Sequence, residues 1–144
     1  MKNDAPGAVI LIRIMTGAVF LSEGIQKFLF PGELGVGRFA KIGIPEPEIL
    51  APLVGGVEIV CGLLLLLGLF TRAAAVPLIV TMSVAIATTK IPMLLRDGFW
   101  EMAHASRTDF SMILGTIFLL IVGPGPWSLD ARRTQRPTYL GTRR

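Results

Sequence analysis

The chain has 144 residues, 52% of them hydrophobic and 17% charged, with a mean hydropathy of +0.66 and a formal net charge of +4. Charged residues make up about a quarter of a typical soluble domain, so this chain is short of solvated surface. One cysteine, Cys61, and one histidine, His104, exclude an internal disulfide framework, a cysteine-rich metal cage and a haem held by two of the chain's own histidines.

A bilayer core about 30 Å thick takes roughly 20 mostly apolar helical residues to cross. Four stretches meet that need. The first covers 7–30 and is ended by Pro31-Gly32. Arg13 interrupts its apolar region and no small-x-small cleavage site follows, so it is expected to remain in the mature protein. The second covers 49–70, with Pro52 in its opening turn. The third covers 72–89 and stops before Pro92. The fourth, 108–123, stops at Gly123-Pro124-Gly125-Pro126. Its shortness requires it to cross untilted or to begin earlier, in the preceding loop. Continuous apolar runs of this length suit helices, since barrel strands are roughly ten alternating residues. Helices also satisfy their own backbone groups in hydrocarbon.

The connections at 31–48 and 90–107 are long and polar, whereas Thr71-Arg72 alone is left between the second and third segments. A turn that short forces an antiparallel hairpin. The predicted fold is all-α, a transmembrane antiparallel four-helix bundle over 1–123, followed by a basic tail over 124–144.

Charge sets the expected orientation. Nine basic and nine acidic residues balance within 1–123, while the tail carries Arg132, Arg133, Arg136, Arg143 and Arg144 against Asp130. The positive-inside rule places that tail in the cytoplasm, and an even number of crossings places the N-terminus there too. The two long loops then face outward. Trp100 and Trp127 fall near segment ends on opposite sides, as interfacial aromatics do. A basic run after a membrane exit is read as a topology signal touching anionic lipid, and no nucleic-acid partner is expected.

Charged side chains at helix centres cost roughly 2.5–3.5 kcal/mol each on insertion scales, so each needs a reason to be there. At about 100° per residue, Arg13, Gly17, Phe20, Gly24 and Lys27 share one line, with Glu23 on its flank. Glu58, Gly62, Leu65, Leu69 and Arg72 share another. Glycines one heptad apart on both stripes let two backbones approach, so the charges are expected to face the bundle interior. With a rise of about 1.5 Å per residue, Glu23 and Glu58 lie roughly 10 and 13 Å in from the same end, where Lys27 can bridge them. Arg13 and Arg72 lie toward the opposite end. Three readings of the cluster stay open: an ion pair that fixes helix register, a polar site for a proton, a quinone headgroup or a small anion, and snorkelling to lipid headgroups.

Two further groups are weaker candidates. Asp109, with Arg107, either extends the polar cluster or serves with Ser106 as a helix capping arrangement. His104 is read as an interfacial residue, Cys61 as inert, and the scattered methionines as filler, so no metal site is expected.

Taken together, these residues carry a resemblance. The first segment reads Arg13-Ile-x-x-Gly17-x-x-Phe20-x-x-x-Gly24-x-x-Lys27, followed by Gly43-Ile-Pro45. Then come Gly55-x-x-Glu58-x-x-x-Gly62-x-x-Leu65-x-x-Gly68, Thr71-Arg72-x-x-Ala75 and Gly123-Pro-Gly-x-x-Ser128-Leu129-Asp130. The pattern resembles the DoxX family of small bacterial four-helix membrane proteins over nearly the whole chain. The resemblance implies a place in the bacterial cytoplasmic (inner) membrane and a link to redox metabolism. Relatives include the large subunit of a thiosulfate:quinone oxidoreductase and membrane partners of oxidative-stress and thiol enzymes. The family's polar positions fall on Arg13, Lys27, Glu58, Arg72 and Asp130.

Three functions are expected in turn. One is a quinone-linked oxidoreductase subunit, in which Lys27 and Arg72 meet quinone oxygens and Glu23 and Glu58 carry protons. No covalent cofactor is expected, and electrons would come through the quinone or another subunit. Another is a non-catalytic anchor that recruits a soluble oxidoreductase. The third is a small-solute or proton-coupled transporter, for which four helices would need to form a homodimer to enclose a pathway.

Overall fold

Apolar residues fill nearly every turn of the long helices, so their backbones close on themselves while small residues form the contact stripes. The computed structural model of the chain describes residues 6–134. Its elements are α1 (Val9–Leu29), α2 (Val36–Lys41), α3 (Pro47–Leu67), α4 (Thr71–Asp97), α5 (Phe99–Ala105), α6 (Arg107–Val122) and α7 (Leu129–Thr134). No strand occurs among the described residues. Helices α1, α3 and α4 are each long and apolar enough to cross a bilayer, and α5 with α6 supplies a fourth span bent by 58° at Ser106. α1 packs on α3, α3 on α4, α4 on α6, and α6 back on α1, which closes an antiparallel ring of four.

The bundle has two unlike ends. At the hairpin end, α3 turns into α4 through Gly68-Leu69-Phe70, with Gly68 and Phe70 both left-handed (φ 66° and 48°). The buried core lies toward this end and includes Phe20, Leu65, Leu78 and Leu119. Large apolar side chains such as Leu11, Leu53, Leu63 and Ile121 are exposed on the outside, where a bilayer covers them. At the opposite end, α2 lies against α3, and α4 leaves the core. No residue of α4 beyond Leu78 is buried.

Helix limits depart from the sequence reading at three points. The second span ends at Leu67 and not at 70, because the left-handed Gly68 stops it. Leu69 and Arg72 therefore do not continue the Glu58 stripe, and Thr71-Arg72 is not the turn but the first turn of α4. The third span does not stop before Pro92 but runs through it to Asp97. A proline removes one intrahelical bond, and the far turns of α4 are held from outside by Lys90, described below. The fourth span does begin earlier in the loop, as the bent α5–α6 pair.

The backbones of α1 and α3 approach closely. A Cβ added at Gly17 would lie 2.8 Å from the Gly62 carbonyl oxygen, and one at Gly24 would lie 2.7 Å from the Gly55 carbonyl oxygen. At Gly62 it would lie 2.7 Å from the Leu21 nitrogen. These obstacles are backbone atoms, so the helices themselves must separate to admit a methyl group. Gly62→Ala is therefore expected to cost about 1–3 kcal/mol, the range for overpacked cores. Gly56→Ala, where an added Cβ meets nothing within 4 Å, should be neutral or slightly stabilising. Thermal denaturation of the two variants in the same detergent checks the contrast.

Candidate functional site

The charged residues singled out from sequence separate into two groups, one at each end. At the hairpin end, Arg13 is only 2% exposed. Its Nε donates to the Leu65 carbonyl at 3.0 Å and its Nη2 to the Leu66 carbonyl at 2.8 Å, both in the last turn of α3. Its Nη1 donates to the Pro124 and Trp127 carbonyls at 3.1 and 2.6 Å. The last four carbonyls of a helix lack intrahelical donors, and a guanidinium with five N–H groups in a rigid fork can serve several at once. Gly68 makes room for it: an added Cβ would lie 2.6 Å from Arg13 Cζ and 2.5 Å from Ser128 Cβ.

Asp130 does the converse for α4. Its two carboxylate oxygens accept the Phe70 and Thr71 N–H groups at 2.9 and 3.1 Å, and its own N–H donates to the Gly68 carbonyl at 3.0 Å. A carboxylate is favoured at a helix N-terminus by the free N–H groups and the dipole. Arg72 Nη2 donates to the Ile121 carbonyl near the end of α6, at 3.0 Å. Arg13, Arg72 and Asp130 thus cap three helix ends and tie residues 124–134 to the bundle. None of the three reaches the cavity described next. Arg132 and Arg133 lie on α7, while Arg136, Arg143 and Arg144 fall outside the described residues.

At the other end a cavity of about 570 Å³ opens between the helices. Its charged lining consists of Glu23 and Lys27 from α1, Arg38 from α2, Glu58 from α3, Lys90 from α4 and Asp109 from α6. Lys27 Nζ and Glu58 Oε2 form an ion pair of 2.6 Å with both side chains largely withdrawn from solvent. Lys90 Nζ pairs with Asp109 Oδ2 at 3.0 Å and donates to the Ala105 carbonyl at 2.9 Å. Glu23 makes no ion pair among the described residues, and neither does Arg38. Three cations and three anions leave the lining with no formal net charge. Thr81, Thr88, Thr89 and Thr108 add hydroxyls, and the remaining wall is apolar.

Lys27 thus meets Glu58, and Glu23 faces the same cavity without a direct link to Lys27 other than a 3.5 Å contact through its backbone carbonyl. Asp109 does join the polar cluster, through Lys90 and not Arg107, whose guanidinium donates to the His104 carbonyl. The Ser106 capping reading fails: its hydroxyl donates backward to the Met102 carbonyl at 2.7 Å and caps nothing in α6. Lys90 is a cavity residue that the sequence pattern does not single out. Placing the end of the third span before Pro92 put Lys90 in a loop, whereas a helix continued through the proline would have shown a lysine two turns inside an apolar span. Arg38 and the apolar residues of 34–44 were likewise hidden in a segment read as loop.

The DoxX family model matches residues 8–91, more than half of the chain. The chain belongs to the DoxX family. It is 57% identical to the uncharacterized membrane protein Rv3486 of Mycobacterium tuberculosis, over 99% of this chain and 91% of that protein. It is 31% identical to a Bacillus subtilis protein named "Putative oxidoreductase CatD", with 90% of each covered. It is also 29% identical to the inner membrane protein YphA of Escherichia coli, over 88% of this chain and 91% of the other. No solved structure matches this DoxX protein. Within the matched region, Arg13 and Arg72 belong to the helix-capping end, and Lys27, Glu58 and Lys90 to the cavity.

The separation has a measurable consequence. Arg13→Lys keeps the charge but cannot reach four carbonyls, so it should lower stability by roughly 2 kcal/mol or more, the scale of several lost charge-assisted hydrogen bonds. Any ligand affinity of the cavity should be unchanged in the protein that remains folded. Detergent melting curves and a binding assay on the same preparation check both halves.

Proposed function

We propose that this DoxX protein is a quinone-linked membrane subunit of a redox system, with the cavity as the headgroup site. The observation that carries the reading is a chamber with no net charge, apolar on its walls and edged by Lys27, Glu58 and Glu23. Small-molecule sites commonly enclose about 300–1,000 Å³, with a few convergent polar groups on an apolar lining. An uncharged ring with oxygen atoms at its edge suits a lining of no net charge, two of whose three cations are already paired with carboxylates, better than a free anion does. The name of the CatD relative points in the same direction.

A bound quinone would accept two electrons and two protons at its ring oxygens. Lys27 can donate a hydrogen bond to a ring oxygen while Glu58 holds the ammonium in position from 2.6 Å. Glu23, which no cation neutralises directly, is the group best placed to take up and release protons at the mouth. The chain's single cysteine and single histidine supply no redox pair, so the electrons are taken from a soluble oxidoreductase partner. The same reading places the protein in the cytoplasmic membrane, with the hairpin end and its arginines inside and the cavity end outside.

Two experiments test this. Glu58→Gln preserves shape but removes the charge that balances Lys27. Quinone binding in nanodiscs should weaken at least tenfold while the protein still folds; unchanged affinity would remove the headgroup from this site. Separately, a reporter fused after Arg144 should be active only when its active form is cytoplasmic, and activity on the far side would invert the orientation.

A further inference from the structure

The α2 region and helix α4 border the cavity in different ways. The cavity's end is roofed by the α2 region, where Leu34, Phe39, Ile42 and Ile44 turn apolar side chains into the chamber and Phe39 is itself buried. On the α3–α4 side no such cover exists. These two helices are bound tightly at the hairpin, but α4 has no buried residue after Leu78, and its far turns are retained by Lys90 on Asp109 and Ala105. That attachment holds α4 to α6 and not to α3. Val80 and Val84 line the chamber and are 56% and 48% exposed. Leu50 and Val54 of α3 line the chamber on the same flank.

We infer that the gap between the outer halves of α3 and α4, edged by Val80 and Val84, is a lateral portal through which a lipid-borne ligand enters from the bilayer and leaves its isoprenoid tail outside. The inference rests on the headgroup reading and adds the ligand's class and route: a tailed quinone dissolved in the membrane, not a water-soluble one. Its logic is a polarity gradient. On the α3–α4 flank the lining residues Leu50, Val54, Val80 and Val84 are apolar, and the charged Glu58 of α3 stands one turn beyond Val54 toward the hairpin and is itself buried. A polar ring moving toward Lys27 and Glu58 therefore drags its apolar chain through an apolar edge, and no charge has to cross lipid. Methylenes are favoured out of water, so the tail stays in the bilayer.

The test uses the whole chain in nanodiscs with two probes, a naphthoquinone bearing a four-unit isoprenoid tail and its tail-free 2-methyl counterpart. The wild-type protein should bind both. The double variant Val80→Trp/Val84→Trp should bind the tailed probe at least tenfold more weakly and the tail-free probe within twofold of wild type. Equal affinity of the variant and wild type for the tailed probe would overturn the portal while leaving the headgroup site intact. Equal losses for both probes would also overturn it, since the side wall would then be structural. If the wild-type protein binds neither probe, the headgroup reading falls and the portal with it. A second measurement avoids bulky substitution. Val84→Cys should be alkylated by a membrane-partitioning maleimide and protected by the tailed probe but not by the tail-free one; protection by both or by neither counts against the portal.

Discussion

The glycine contact between α1 and α3 sets where the charged groups on those helices can go. Gly17 against Gly62 and Gly24 against Gly55 bring the two backbones together at two levels, one heptad apart on each helix. In a bilayer no hydrophobic force draws helices together, so close backbone packing of this kind supplies much of the attraction. Arg13 stands one turn beyond the first contact and Lys27 one turn beyond the second. With the helices fixed in register, Arg13 falls on the last carbonyls of α3 and Lys27 on the Glu58 carboxylate. A slip of one turn would take Arg13 off those carbonyls and Lys27 away from Glu58.

The two groups of charges solve the same electrostatic problem in different ways. At the hairpin end, charge meets backbone groups: guanidinium on carbonyls of α3, α6 and the 124–127 segment, carboxylate on N–H groups at the start of α4. Such partners are fixed by the fold, and they hold the Arg13 guanidinium with four hydrogen bonds. At the cavity end, side chains pair with side chains, and pairing is incomplete because Glu23 and Arg38 have no ionic partner among the described residues. Residual hydrogen-bonding capacity beside an enclosed volume is what distinguishes a site from a brace.

Much of this was legible in the sequence. Four apolar runs gave the four spans, and the coincidence of Gly17, Gly24, Gly55 and Gly62 with the charged stripes gave the α1–α3 contact. The Lys27–Glu58 pairing followed from depth along two antiparallel helices. Periodicity could not show which polar residues end up on backbone. Arg13, Arg72 and Asp130 look like site residues in a one-dimensional pattern, and only the return of 124–134 onto the bundle reveals them as caps. Gly68 posed a related difficulty, since it falls in step with a packing stripe yet ends the helix through its positive φ. Lys90 was lost to the ordinary rule that proline stops a helix, which Pro77 and Pro92 both break in α4.

That α4 leaves the buried core after Leu78 bears on how such a small protein can diversify. Residues that secure the architecture and residues that shape the chamber are drawn from different stretches of the same helix. Replacements along the outer turns of α4, in α2 or in α5 alter volume and polarity without disturbing the capped hairpin or the glycine contact. A lineage can therefore reshape the chamber by drift in these stretches, while the scaffold that inserts into the bilayer stays as it is.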